Sequence, residues 1–120
     1  MAKILLAEDD VASRALIARA LTSDGHAVME ADDGQVALDK FLADPAAIDL
    51  LVTDVDMPAL DGIELARRVI THRPSMRVLL VSGHAGGLDQ AAELAGANVR
   101  VLPKPASIEA IRDAIRALLG

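Results

Sequence analysis

At 120 residues the chain has the size of one domain, with no room for a second, so residues 1–120 are read as a single unit. An apolar fraction of 52% against 25% charged residues excludes a disordered or membrane-embedded chain and predicts a packed core. Twelve Lys and Arg against eighteen Asp and Glu leave a net charge of -6, with one aromatic residue and no cysteine; nucleic-acid binding, base stacking, disulfides and thiol or Cys-ligated metal chemistry are excluded.

The chain opens Met1-Ala2-Lys3, and the apolar run Ile4 to Ala7 is cut at once by Glu8-Asp9-Asp10. That run is too short for a signal peptide or a membrane span, so no membrane partner is expected and the expected compartment is the cytoplasm. It is the first of five short apolar runs, followed by Ala27 to Ala31, Leu50 to Thr53, Val78 to Ser82 and Val99 to Leu102. Longer amphipathic segments separate them, the rhythm of repeated βα units. Near-continuous apolar runs suit strands buried on both faces, whereas Val28-Met29-Glu30 and the interrupting Arg100 mark the second and fifth strands as edges.

Five helices are expected, one after each strand. In the first, Leu16, Ile17 and Leu21 are assigned to packing on the sheet, with Arg14 and Arg19 exposed. Gly86 and Gly87 precede a short Ala-rich helix with Leu88, Ala91, Ala92 and Ala95 on one face, a segment expected to pack loosely. Ile108, Ile111, Ile115 and Leu118 form the stripe of the last helix. Ser107 stands at its N-cap position with Glu109 in its first turn, and Gly25 and Gly96 stand where helices turn back toward strands.

In an open α/β sheet, ligands bind beyond the carboxyl ends of the strands, where strand order reverses. A doubly wound five-stranded parallel sheet of order 2-1-3-4-5 sets Glu8, Asp9 and Asp10 beside Asp54, which follows the third strand. Two like charges about 4 Å apart repel by roughly 4 kcal/mol even at an effective dielectric near 20, so such a cluster calls for a cation. Oxygen-only ligands select Mg²⁺, with Mn²⁺ as the second choice. Asp10 alone is equally read as a helix cap. Ser82 ends the fourth strand, and Lys104 follows the fifth between two prolines. A hydroxyl that donates to a phosphoryl oxygen, a lysine that neutralises an anion and a carboxylate that acts as nucleophile beside a metal together describe phosphoryl transfer to a carboxylate.

Four stretches carry a resemblance to a known family: Ile4 to Asp10, Thr53-Asp54-Val55-Asp56-Met57-Pro58 with Asp61-Gly62, Val81-Ser82-Gly83-His84, and Leu102-Pro103-Lys104-Pro105. In this order they resemble the CheY-like receiver domains of two-component response regulators, over essentially the whole chain. The resemblance implies that Asp54 is the phosphate acceptor and a metal ligand, that Asp9 binds Mg²⁺ directly, that Glu8 does so through water, and that the Asp56 backbone carbonyl is a further ligand. Ser82 would be the switch hydroxyl, and Lys104 would pair with the phosphoryl group, with a cis Lys104–Pro105 bond. Asp56 and His84 would tune phosphoryl lifetime, and Gly83 would keep the acceptor accessible. The implied donor is a histidine kinase or histidine phosphotransferase docking on the first helix and the last βα loop. The implied output is an unidentified protein bound at the face of the fifth strand and the helix before it.

Two positions depart from the family pattern. Val101 stands where an aromatic switch residue is usual, and Ala106 stands where Phe often follows the Lys-Pro pair. The expected role is a stand-alone regulator without an output domain, the alternative a phosphate shuttle or sink between kinase and phosphotransferase. More remote is a haloacid-dehalogenase-like phosphohydrolase, suggested by Asp54-Val55-Asp56 but lacking that family's further acids. A dinucleotide site is weaker still, since no G-x-G-x-x-G follows the first strand. His26 and His72 are read as solvated, and no metal-ligand spacing links the histidines.

Overall fold

A computed structural model describes residues 2–83, 87, 89–90, 93–94, 96 and 98–120. Its strands are β1 (Lys3–Ala7), β2 (Ala27–Ala31), β3 (Leu50–Asp54), β4 (Arg77–Ser82) and β5 (Val99–Pro103), and its helices are α1 (Val11–Ser23), α2 (Gly34–Ala43), α3 (Gly62–His72) and α4 (Ile108–Leu119), with a 3₁₀ turn at Pro45–Ala47. The sheet is parallel throughout and its order is β2-β1-β3-β4-β5. The order is the expected 2-1-3-4-5, and the edge strands are those the apolar runs predict. The Ala-rich helix expected around Leu88, Ala91, Ala92 and Ala95 lies outside the described residues, as do Gly86 and His84.

Side chains alternate across each strand, so the sheet separates two cores. Leu5, Leu51, Val78 and Leu80 face α2 and α3, where Leu38, Phe41, Ile63, Leu65 and Val69 pack. Ile4, Leu6, Leu50, Val52, Leu79 and Val81 face α1 and α4, where Ala18, Leu21, Ile111, Ile115 and Leu118 pack. Phe41 is fully buried, and its ring meets His72 edge-on at 5.9 Å between centroids. His72 is exposed, as expected, with its ring edge against Phe41 at the end of α3, whereas half-buried His26 is not merely solvated: it accepts a hydrogen bond from the Ala2 N–H at 3.2 Å on Nδ1.

Each of these helices starts on a side-chain cap. Asp10 accepts from Ser13 N–H, Asp33 from Val36, Asp61 from Glu64 and Ser107 from Ala110, at 2.8 to 3.0 Å. In a parallel sheet such starts gather at the carboxyl ends of the strands, which brings the partly positive helix ends beside the acidic cluster. Arg112 ties α4 to α1 through Asp24 at 2.9 Å and the Ala20 carbonyl at 3.3 Å.

The first helix turns out differently from the expectation in two places. Leu16 is 56% exposed. Arg14 is turned inward, donating to the Glu8 carbonyl at 2.8 Å and pairing with Glu30 at 3.4 Å. Arg19 is exposed as expected, and Leu21 is buried.

Between β3 and α3, Ala59 holds φ at 68°, a left-handed conformation that costs an L-residue about 1–2 kcal/mol. Glycine there relieves that strain but adds unfolded-chain freedom worth about 0.4–1 kcal/mol. Ala59→Gly is expected to raise stability by about 0.5–1 kcal/mol in urea denaturation; a loss would mean the position carries no strain.

Candidate functional site

The site lies at the carboxyl ends of β1, β3 and β5. Asp54 is the last residue of β3, in register with Val81 of β4. Because β3 is central and covered on both faces, the Asp54 carboxylate is only 6% exposed. Lys104, just past β5, donates from Nζ to Asp54 Oδ2 at 2.8 Å and lies 3.8 Å from Glu8 Oε1. The Asp56 N–H donates to the other Asp54 oxygen at 3.3 Å. Glu8 is as buried as Asp54, and Asp9 beside it is exposed.

Glu8, Asp9 and Asp54 each place one carboxylate oxygen within 4.8 Å of the others. Three of the four expected acids thus converge. Asp10 does not join them: its carboxylate caps α1, and its N–H donates to Glu8 Oε2 at 3.1 Å. Asp56 is exposed, and Ser82 is fully buried at the end of β4, where its carbonyl accepts from the Lys104 N–H at 2.8 Å. That contact joins the ends of β4 and β5 one residue from the cis Lys104–Pro105 bond. A methyl group on Gly83 would meet the Lys104 side chain at 3.6 Å, an ordinary contact, so the space there does not itself demand glycine.

Charge follows burial. Desolvation, reinforced by the nearby Asp54 carboxylate, raises the Glu8 pKa from 4.5 to about 7 against the lowering pull of the Asp10 N–H and Lys104. For Lys104, burial pulls the pKa down, but the hydrogen bond and charge of Asp54, with Glu8 and Asp56, outweigh it and leave the ammonium held above its ordinary range. Exposed Asp10 is lowered by its hydrogen bonds to Ser13. The cluster thus holds more negative charge than Lys104 can neutralise, and burial makes that excess costly.

Two features escaped sequence reasoning. Arg14 braces the backbone of Glu8, although nothing in the sequence marks that arginine as internal. A cleft of about 440 Å³ also opens beside the carboxylates, lined by Ile17, Ala106 and Ile111 among others; the small residue at 106 was its signal. Val101 is half-buried against the α2–α3 core. The expected output face lies in part outside the described residues.

Residues 4–116 match the response regulator receiver domain, and the chain belongs to that family. It is 34% identical over 119 residues to the response regulator receiver protein CpdR of Brucella abortus, covering 99% of this chain and 98% of CpdR. The response regulator MprA of Mycobacterium avium is 35% identical over 117 residues, covering 98% of this chain and 50% of MprA, so the chain spans half the length of that relative. A receiver domain protein from Clostridium thermocellum superposes with a TM-score of 0.89 at 30% identity, over 99% of this chain and 95% of that one. The response regulator TrrA of Thermotoga maritima, crystallised with Mg²⁺ and BeF, shares the fold with a TM-score of 0.85 at 22% identity, over 98% and 99% of the two chains. Among the described residues no helix is long and apolar enough to cross a membrane.

Proposed function

We propose that the chain accepts a phosphoryl group on Asp54 from a phosphohistidine of a histidine kinase or histidine phosphotransferase, and signals in the cytoplasm by phosphorylation-dependent protein binding. The observation that carries this reading is the setting of Asp54, a buried carboxylate with one oxygen held by Lys104 at 2.8 Å and two further carboxylates converging on it. The similarity to CpdR, named as a response regulator receiver protein, supports a receiver role. The family match over 4–116 favours this reading over a dehalogenase-like phosphohydrolase.

Three oxygen donors without sulfur or nitrogen fit a hard divalent cation. Glu8, Asp9 and Asp54 would hold Mg²⁺, with the Asp56 carbonyl as a further ligand, and the Mg²⁺ complex of TrrA on the same fold supports this choice. When bound, the ion supplies positive charge opposite the transferring phosphoryl oxygens. Asp54 Oδ attacks phosphorus as the P–N bond to the donor imidazole breaks; the electron pair stays on the ring nitrogen, which takes up a proton. The product is a mixed carboxylic–phosphoric anhydride on Asp54. Lys104 would then release Asp54 and pair with the phosphoryl oxygens, and the Ser82 hydroxyl would donate to one of them. The added charge of about -1.5 to -2, by analogy with other phosphorylated side chains, is then balanced within the turn after β4 and at Lys104. With Val101 in the aromatic position, output through a rotating ring is replaced by rearrangement of that turn.

Incubation with acetyl phosphate, read as intact-protein mass, tests the assignment. A Mg²⁺-dependent, hydroxylamine-labile phosphoryl adduct is expected on the wild type and not on Asp54→Asn. An adduct that survives the substitution would move the acceptor elsewhere.

A further inference from the structure

The cleft beside the carboxylates has a part that phosphoryl transfer does not use. Besides Glu8, Asp54, Lys104 and Pro105 it is lined by Leu6, Val52 and Val81 from the sheet, Ile17 from α1, and Ala106 with Ile111 at the start of α4. Leu6, Val52 and Ile111 are at most 3% exposed and form its floor, while the more accessible Ser13, Ile17, Lys104, Pro105 and Ala106 form its rim. Ala106, directly before the Ser107 cap, presents only a methyl group to this space. The volume of about 440 Å³ lies within the roughly 300–1,000 Å³ of small-molecule sites, and an apolar chamber with a few polar groups at one end is their usual form.

The polar end determines the class of occupant. Two carboxylates, Glu8 and Asp54, line it against one ammonium, Lys104, and the Asp9 carboxylate is nearby. Surplus negative charge disfavours anions, and the apolar walls disfavour sugars or other fully polar ligands, whose hydroxyls would be left without partners. We propose that the chamber binds a small organic cation, with an apolar body about the size of one aromatic ring seated between Ile17, Ala106 and Ile111 and a primary ammonium facing Glu8 and Asp54. Such a ligand occupies the same carboxylates as Mg²⁺. If the proposed function holds, it therefore slows phosphoryl acceptance, an input independent of the kinase; the binding itself does not depend on that function.

The test is calorimetric titration of the metal-free full chain with 2-phenylethylammonium, with uncharged 2-phenylethanol as the comparison. Ala106→Phe fills the chamber without touching the carboxylates, and a retained cooperative melt shows that it folds; Ala106→Leu serves if it does not. The expected result is saturable binding of the amine to the wild type, with at least about tenfold weaker binding both of the alcohol and of the amine to the filled variant. Acetyl phosphate labelling of the filled variant stays at the wild-type level, which separates loss of the chamber from damage to the acceptor. Equal affinity in the filled variant removes the chamber, equal affinity of the alcohol removes the cationic preference, and absence of amine binding at millimolar concentration overturns the proposal.

Discussion

Between about pH 5 and about pH 8, metal-free protein is expected to lose roughly 2–3 kcal/mol of stability through one buried carboxyl group. Glu8 titrates near 7 in the folded chain against an ordinary 4.5, so the folded state holds this proton more tightly than the unfolded state does. The stability tied to that proton is complete below about 4.5 and is lost as the pH rises through about 7. Lys104 is likewise raised, but its effect falls at alkaline pH, and Asp10, which is lowered, acts only at the acid end, so neither contributes slope in this window. Urea denaturation across the range, on wild type and Glu8→Gln, isolates the effect: the variant profile should be flatter and the variant more stable at pH 8. Parallel profiles would mean that Glu8 is already ionised in the folded protein. Mg²⁺ should reverse the loss, because binding to the folded state adds RT ln(1 + [L]/Kd). If Mg²⁺ binds at the proposed site, which needs Glu8 ionised, its apparent affinity is expected to rise by up to about tenfold per pH unit below 7 and level off above it.

Gly62→Ala is expected to cost about 3 kcal/mol, toward the upper end of overpacking effects. A methyl group at this first residue of α3 would stand 2.1 Å from the Asp54 carbonyl oxygen and 2.9 Å from the Val55 Cα, and both are backbone atoms that no rotamer change can move. Gly34, which opens α2, is in the same position: a methyl group there would stand 1.8 Å from the Leu60 carbonyl oxygen. Two helix starts thus press on the two ends of the segment that follows Asp54. Alanine at either position must push that segment away, so phosphoryl acceptance should fall together with stability. Gly96→Ala, with nothing within 4 Å, is the comparison and should stay within about 0.5 kcal/mol of wild type. Thermal melts and acetyl phosphate labelling of the three variants decide the matter; a neutral Gly62→Ala would show that the β3–α3 connection yields easily.

The parallel sheet and its edges were readable because the buried strands are near-continuous apolar runs, and its order because the acids after β1 and β3 fit the switch point of a common doubly wound arrangement. The end of β3 was less so. The expected strand stops at Thr53, but the ladder continues through Asp54 opposite Val81, and that extra rung is what buries the carboxylate. In α1, apolarity misled: Arg14 and Leu16 are two residues and hence about 200° apart around a helix, and Arg14 turns inward because the Glu8 carbonyl and Glu30 offer it partners. Leu16 then faces outward. Proximity of the acids to Asp54 followed from strand order alone. Which acid turned away did not, because Asp10 is committed by a hydrogen bond to Ser13 that arises only once α1 forms.

Phe41, clamped against His72 and carrying the chain's only aromatic ring apart from the imidazoles, makes this protein nearly silent to optical spectroscopy. Without Trp or Tyr it has almost no absorbance at the wavelength customary for protein concentration and no intrinsic emission worth recording. That poverty is useful. Near-ultraviolet circular dichroism arises from one ring between α2 and α3, so its loss on heating follows the packing of a single layer. A lone indole placed at half-buried Val101 would be the sole emitter in the molecule, reporting on the β5 edge against a dark background.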